Sequence, residues 1–140
     1  MTSVSTSALA EIRTHGERDY PEECCGMMLG TSDGDRHRVT KVITIDNIQE
    51  ENRKRRFLIS AAQYLQAERR AAEEGLELLG FYHSHPDHPA IPSDFDTEHA
   101  LPWFSYIIVS VQRGTSADIT SWLLRQDRTR FDQQSLEEIR

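Results

Sequence analysis

The chain has 140 residues, of which 37% are hydrophobic and 8% aromatic, and a formal net charge of −7. That length suits one domain over residues 1–140, able to bury roughly two thirds of its unfolded surface. The acidic balance argues against a nucleic-acid partner, and no stretch approaches the roughly 20 apolar residues that span a bilayer.

The segment Met1 to Ala10 lacks a charged stretch followed by an apolar one, so it does not read as a secretory signal. Ser7 to Arg18 reads as a short amphipathic helix with Ala8, Ile12 and His15 on one face, ending near Gly16. Cys24 and Cys25 are adjacent, and a bridge between neighbours would be strained, so free thiols in a reducing cytoplasm are expected. Cys25 to Leu29 and Val39 to Ile45 read as a hairpin turned at Thr31-Ser32-Asp33-Gly34-Asp35, where Asp-Gly is a strong turn signal. Asp46 to Arg55 is polar and irregular, and its basic run Arg53-Lys54-Arg55-Arg56 reads as a solvated loop.

Ser60 to Glu74 is the clearest helix, capped by Ser60, ended by Gly75, and given its period by Ala61, Tyr64, Leu65, Glu68 and Ala72. Leu76 to His85 is a strand that starts apolar and ends in polar rings; Ser93 to Ala100 is a helix with Ser93 as its cap. Phe104 to Val111 and Ile119 to Leu124 are strands joined at Gly114, and Ser135 to Arg140 is expected to form a last helical turn. Helices interleaved with strands, one pair of them a hairpin, predict an α/β or α+β domain with a mixed sheet.

The chemistry concentrates in His83-Ser84-His85-Pro86 and Pro92-Ser93-Asp94-Phe95-Asp96. Two histidines one residue apart on a strand point to the same side, with Cα atoms roughly 6.6 Å apart, so both rings can reach one ion. Ser93 and Asp96 share one face of a helical turn. Two neutral histidines and one carboxylate, His83, His85 and Asp96, leave a tetrahedral zinc one position short, which water fills; that is the composition of a catalytic site. Asp96 has a competing use as the third-position acid of a capping box with Ser93, although that box favours Glu or Gln. His83 and His85 alone would pass for polar residues at the solvated end of a strand.

The pattern H-x-H-x(7)-S-x(2)-D resembles the JAMM family of zinc metallopeptidases, also called MPN+ or Mov34/PAD-1, many of which act on ubiquitin and ubiquitin-like proteins. Tyr20-Pro21-Glu22-Glu23-Cys24-Cys25-Gly26 fits the upstream segment that carries the family's glutamate, with Glu23 in register and Glu22 left to solvent. Asn47, Arg56-Phe57 and Gly80-Phe81-Tyr82 also match, and the resemblance covers about residues 8 to 125. It implies a curved mixed sheet flanked by helices, like that of cytidine deaminases, and the stand-alone prokaryotic type of JAB/MPN domain. It also implies Zn2+ as cofactor and hydrolysis of an amide at the C-terminal glycine of a ubiquitin-like or sulfur-carrier (β-grasp) protein. Water on the zinc is then the nucleophile, Glu23 the general base and acid, and Ser93 a hydrogen-bond donor to the oxyanion, beyond its capping duty.

Two other readings compete with this one. A metal-free scaffold of the same fold would have lost ligand residues, and none is lost here. A small zinc amidase is harder to separate, whereas a nucleoside deaminase would need a later P-C-x-x-C that is absent. His88 reads as a loop or substrate-contacting residue, because a fourth protein ligand would close the site. His99, three residues after Asp96, is placed either to orient that carboxylate or to pack; His37 has no expected role, and Trp103 is expected in the core or at a rim. A homodimer is compatible with exposed sheet edges.

Overall fold

The computed structural model describes residues 1–45 and 60–140. Asn47, the basic run 53–56 and Phe57 lie outside them. The elements are β1 (Thr2–Ser5), α1 (Thr6–Asp19), β2 (Cys25–Asp33), β3 (Arg36–Ile45), α2 (Ala61–Glu73), β4 (Glu77–Pro86), α3 (Asp94–His99), β5 (Ser105–Gln112), β6 (Thr115–Leu124), β7 (Phe131–Gln134) and β8 (Leu136–Ile139).

The strands form one eight-stranded sheet in the order β7-β6-β5-β4-β2-β3-β1-β8. It is mixed, as expected: β2 pairs antiparallel with both β3 and β4, while β4 runs parallel to β5 and β1 runs parallel to β3 and β8. The end strands β7 and β8 are separated in sequence by Ser135 alone. One residue reaches less than 4 Å, so the sheet must curl until its two ends meet. Thr2 records the closure. Its backbone N–H donates to the Ser135 carbonyl at 3.0 Å, and its hydroxyl bonds Ser105 on β5 and Gln134 on β7, both at 3.0 Å.

Each face of the curl is covered by a helix. On one side Ala8, Leu9 and Ile12 of α1 pack with Met28, Val42, Leu79, Tyr82, Ile107 and Val109. On the other, Ala67 and Ala71 of α2 pack with Met27, Leu29, Phe81 and Tyr106. The α1 helix runs past Gly16, because that glycine lies against Val109 and Val111 and is itself buried. In α2 the cap is as expected, with Ser60 and Gln63 bonding reciprocally, but the buried face differs: Ala67 and Ala71 turn inward while Leu65 is 50% exposed. Small side chains let the helix backbone sit close to the sheet, so alanine decides that face rather than leucine.

The ends depart from expectation most. Residues 136–139 form a strand beside β1, not a helical turn, and β1 and β7 are strands without a sequence signal long enough to see. Both cysteines are buried and neither is in a disulfide, and burial pushes the Cys24 thiol up to about 12, which leaves it inert. No helix among the described residues is long and apolar enough to cross a membrane.

Candidate metal centre

Strand β4 brings the site together. Tyr82 and Ser84 turn toward α1, where Tyr82 OH meets His15 Nδ1 at 2.7 Å, and Cys24 N–H donates to Ser84 Oγ at 2.8 Å. Phe81, His83 and His85 therefore share the opposite face, as the period of two requires. Short α3 then delivers the acid: Ser93 Oγ accepts from Asp96 N–H at 3.1 Å, and Asp96 Oδ2 accepts from Ser93 N–H at 2.9 Å. The capping box and the approach to the histidines, posed above as alternatives, coexist in one residue. The box holds the same Oδ2 that faces the rings.

That oxygen lies 3.2 Å from Nε2 of both His83 and His85, and the two Nε2 atoms are 3.1 Å apart. Three donor atoms thus form a nearly equilateral triangle. An ion with bonds of ~2.0–2.1 Å in tetrahedral geometry has ligand atoms about 3.3–3.4 Å apart, so the triangle has close to the right size for one face of that tetrahedron. Its chemistry fits too. His85 Nδ1 is 2.8 Å from the Pro89 carbonyl, an acceptor, so Nδ1 carries the proton and Nε2 offers a lone pair. A lone pair facing a carboxylate oxygen calls for a cation between them.

Glu23 completes the cluster. Its carboxylate and one nitrogen from each of His83 and His85 lie within 4.8 Å of one another, and all three residues are buried. Two acids therefore compete for the third place beside the histidines, and their environments separate them. Burial, with the Asp96 charge adding, raises Glu23 to about 9. Burial also works to raise Asp96, but the His83 and His85 rings that face it and the Ser93 N–H outweigh it and hold Asp96 below the ordinary carboxylate range. Desolvation lowers His83 against the pull of Asp96, which favours the neutral ring that binds metals. Asp96 is the ionised acid at contact distance; Glu23 is the protonated one beside it.

Two hollows flank this cluster. One, of about 600 Å³, is lined by Tyr64, Phe81, Phe95, Leu101 and Tyr106 and reaches His83 and Asp96. The other, of about 220 Å³, is lined by Glu23, His85, His88, Pro89, Ile91 and Ser93. His88 therefore faces the site from its rim without joining the triangle. His99 does not orient Asp96: its Nδ1 is 2.9 Å from the Phe95 carbonyl and its ring stacks on Phe95 at 4.1 Å. His37, given no role above, is buried with Nδ1 2.8 Å from Ser105 Oγ. Trp103, 41% exposed at φ 79°, sits on the His37 ring at a rim. The aromatic hollow was not legible beforehand, because its walls come from α2, β4, α3 and β5 and share no sequence neighbourhood.

A curled mixed sheet between helices with a buried Glu–His–His–Asp cluster is the arrangement of the JAB/MPN class. The family described as prokaryotic homologs of the JAB domain matches residues 5–125, and the chain belongs to that family. Among curated relatives it is similar to a probable TtuB-protein conjugate cleaving protease of Thermus thermophilus, 34% identical over 105 residues, 75% of this chain and 67% of that protein. It is also similar to a desampylase of Haloferax volcanii, 31% identical over 74% of this chain and 73% of that one. Among solved structures, a protein of Salinibacter ruber is 41% identical with a TM-score of 0.76, covering 98% of this chain and 91% of that chain. A JAB1/MPN domain protein of Archaeoglobus fulgidus, 18% identical with a TM-score of 0.63 over 100% of this chain and 98% of that one, shares the fold.

Proposed function

We propose that the chain is a zinc metallopeptidase that hydrolyses the amide at the C-terminal glycine of a ubiquitin-like or sulfur-carrier protein. The observation that carries this reading is the triangle of His83 Nε2, His85 Nε2 and Asp96 Oδ2, with edges of 3.1–3.2 Å. Support for the substrate class comes from the names of the Thermus and Haloferax relatives, a probable TtuB-protein conjugate cleaving protease and a desampylase.

His83, His85 and Asp96 would hold the ion, and zinc suits two imidazoles and one carboxylate. When bound, zinc lowers the pKa of water from ~15.7 toward ~7 and polarises a carbonyl. Glu23 takes the proton of the attacking water and delivers it to the departing amine, so the proton removed from one oxygen ends on the new N–H. Its raised pKa, about 9 beside Asp96, would fall toward neutrality in the field of a nearby cation, where a group that must both take and give a proton works best. Ser93 Oγ spends a lone pair on Asp96 N–H and keeps its own proton to donate to the oxyanion. Ser93 and Glu23 both line the smaller hollow, and on this reading the departing amine lies there and the acyl side in the aromatic hollow.

Two variants test the assignment. Metal content measured by elemental analysis should be about one zinc per parent chain and lost in Asp96→Ala. Glu23→Gln should keep its zinc while turnover of a glycine-tailed carrier conjugate falls by roughly 10²–10⁴-fold. Full turnover by Glu23→Gln, or a parent that cannot be loaded with zinc, would overturn the reading.

A further inference from the structure

Glu23 sits in a segment held at both of its ends, by the strand that carries the histidines and by the turn that follows it. On its C-terminal side, Cys24 N–H donates to Ser84 Oγ at 2.8 Å and Ser84 N–H returns a bond to the Cys24 carbonyl at 3.1 Å. On its N-terminal side, Tyr20 OH donates to Asp87 Oδ2 at 2.5 Å. Only Pro21, Glu22 and Glu23 lie between the two anchors, and both anchors are on residues 84–87.

Asp87 is itself pinned through both its backbone and its side chain. Its backbone N–H donates to the Val111 carbonyl at 2.7 Å, its Oδ1 accepts from Arg113 N–H at 2.8 Å, and its φ of 55° is left-handed, a conformation aspartate tolerates better than most residues. The neighbouring His88 carbonyl accepts from Ser110 Oγ at 2.6 Å. One carboxylate thus joins the end of β4, the β5–β6 turn and the segment bearing Glu23. The Tyr20 ring packs against the α1-side core, so its hydroxyl is presented from a seated ring.

We propose that Tyr20 and Asp87 are positioning residues: their hydrogen bond clamps the Glu23 segment to the β4 terminus and fixes the distance from Glu23 to His83 and His85. The clamp rests on the proton-carrying role proposed for Glu23. Proton transfer needs heavy atoms within about 2.6–3.2 Å, so slack of an ångström in a three-residue span lowers turnover without touching metal or substrate binding.

Tyr20→Phe removes the hydroxyl and keeps the ring. On a glycine-tailed carrier conjugate it should lower kcat about tenfold, with KM and bound metal unchanged. Asp87→Gly, which keeps the left-handed backbone, should show the same loss, and the double variant no further loss. Asp87→Asn should recover most of the rate, since its amide can accept from Arg113 N–H and still bond Tyr20. An unaltered kcat in Tyr20→Phe, or losses that multiply in the double variant, would overturn the clamp. Amide hydrogen exchange of the metal-free protein reads it without turnover. Tyr20→Phe should speed exchange at Glu22, Glu23 and Cys24 and leave Met27 to Leu29 unchanged; equal exchange in parent and variant would also overturn it. A parent that turns over no conjugate would count against the functional reading alone, and exchange would then decide the clamp.

Discussion

Glu23 and Asp96 are buried carboxylates in one cluster, yet their protonation differs because burial and a like charge raise Glu23 while the groups facing Asp96 lower it. Asp96 receives the Ser93 N–H and faces two imidazoles, while Glu23 meets desolvation and the charge of Asp96. A carboxyl raised to about 9 keeps its proton in the folded chain through the range where the unfolded chain, near pH 4.5, has already lost it. The metal-free protein is then at its most stable below pH 4.5 as far as this group is concerned. It loses stability as pH rises toward 9, by up to about 1.4 kcal/mol per pH unit. Glu23→Gln has no proton to lose. In thermal melts with chelator, the metal-free variant should gain on the metal-free parent steadily from pH 5 to pH 8.5; a constant difference across that range would show that Glu23 is not buried in its neutral form. The family resemblance singles out Glu23 but not its raised pKa, since that depends on Asp96, 73 positions away.

At the scale of elements, the hairpin, both long helices and the histidine strand followed from local pattern, because each has a cap, a turn or a period long enough to show. Gly34 at φ 61° sits where Asp-Gly predicted the turn, and Ser60 caps α2 as a serine before an alanine-rich run should. Gly26 is different: no turn requires it. It faces the Tyr82 ring on the paired strand β4, and a Cβ there would run into the ring. Tyr82 is fully buried and tied to His15, which also reaches Asp19 at 3.1 Å, so the ring cannot withdraw. Gly26→Ala should therefore cost about 1–3 kcal/mol in chemical denaturation, as overpacking does. A neutral Gly26→Ala would mean that β2 and β4 can separate without penalty. The face of α2 went astray for a related reason, since the choice between Leu65 and Ala67 is made by how close the sheet allows the helix to come.

Across the whole molecule, the decisive feature is closure of the sheet through Ser135. The six C-terminal residues carry no apolar period that distinguishes a strand from a turn of helix. They become β8 because β1 offers an unpaired edge beside them, with Thr2 opposite Leu136 and Ser5 opposite Ile139. Leu136 packs on the α1-side core; being half-buried, its replacement by alanine should cost about 1–2 kcal/mol, below the 2–5 of a full core position. A Leu136→Ala variant as stable as the parent would indicate that β8 is not docked in solution. What could be read from the chain was whatever chemistry and local geometry place within a dozen residues: the His83-x-His85 pair, Ser93 with Asp96, the caps and the hairpin. The size of the His83–His85–Asp96 triangle, the opposite protonation of Glu23 and Asp96, the aromatic hollow and the closed sheet required the fold. Each is a distance between residues far apart in sequence, and such distances are fixed by packing and strand register rather than by local propensity.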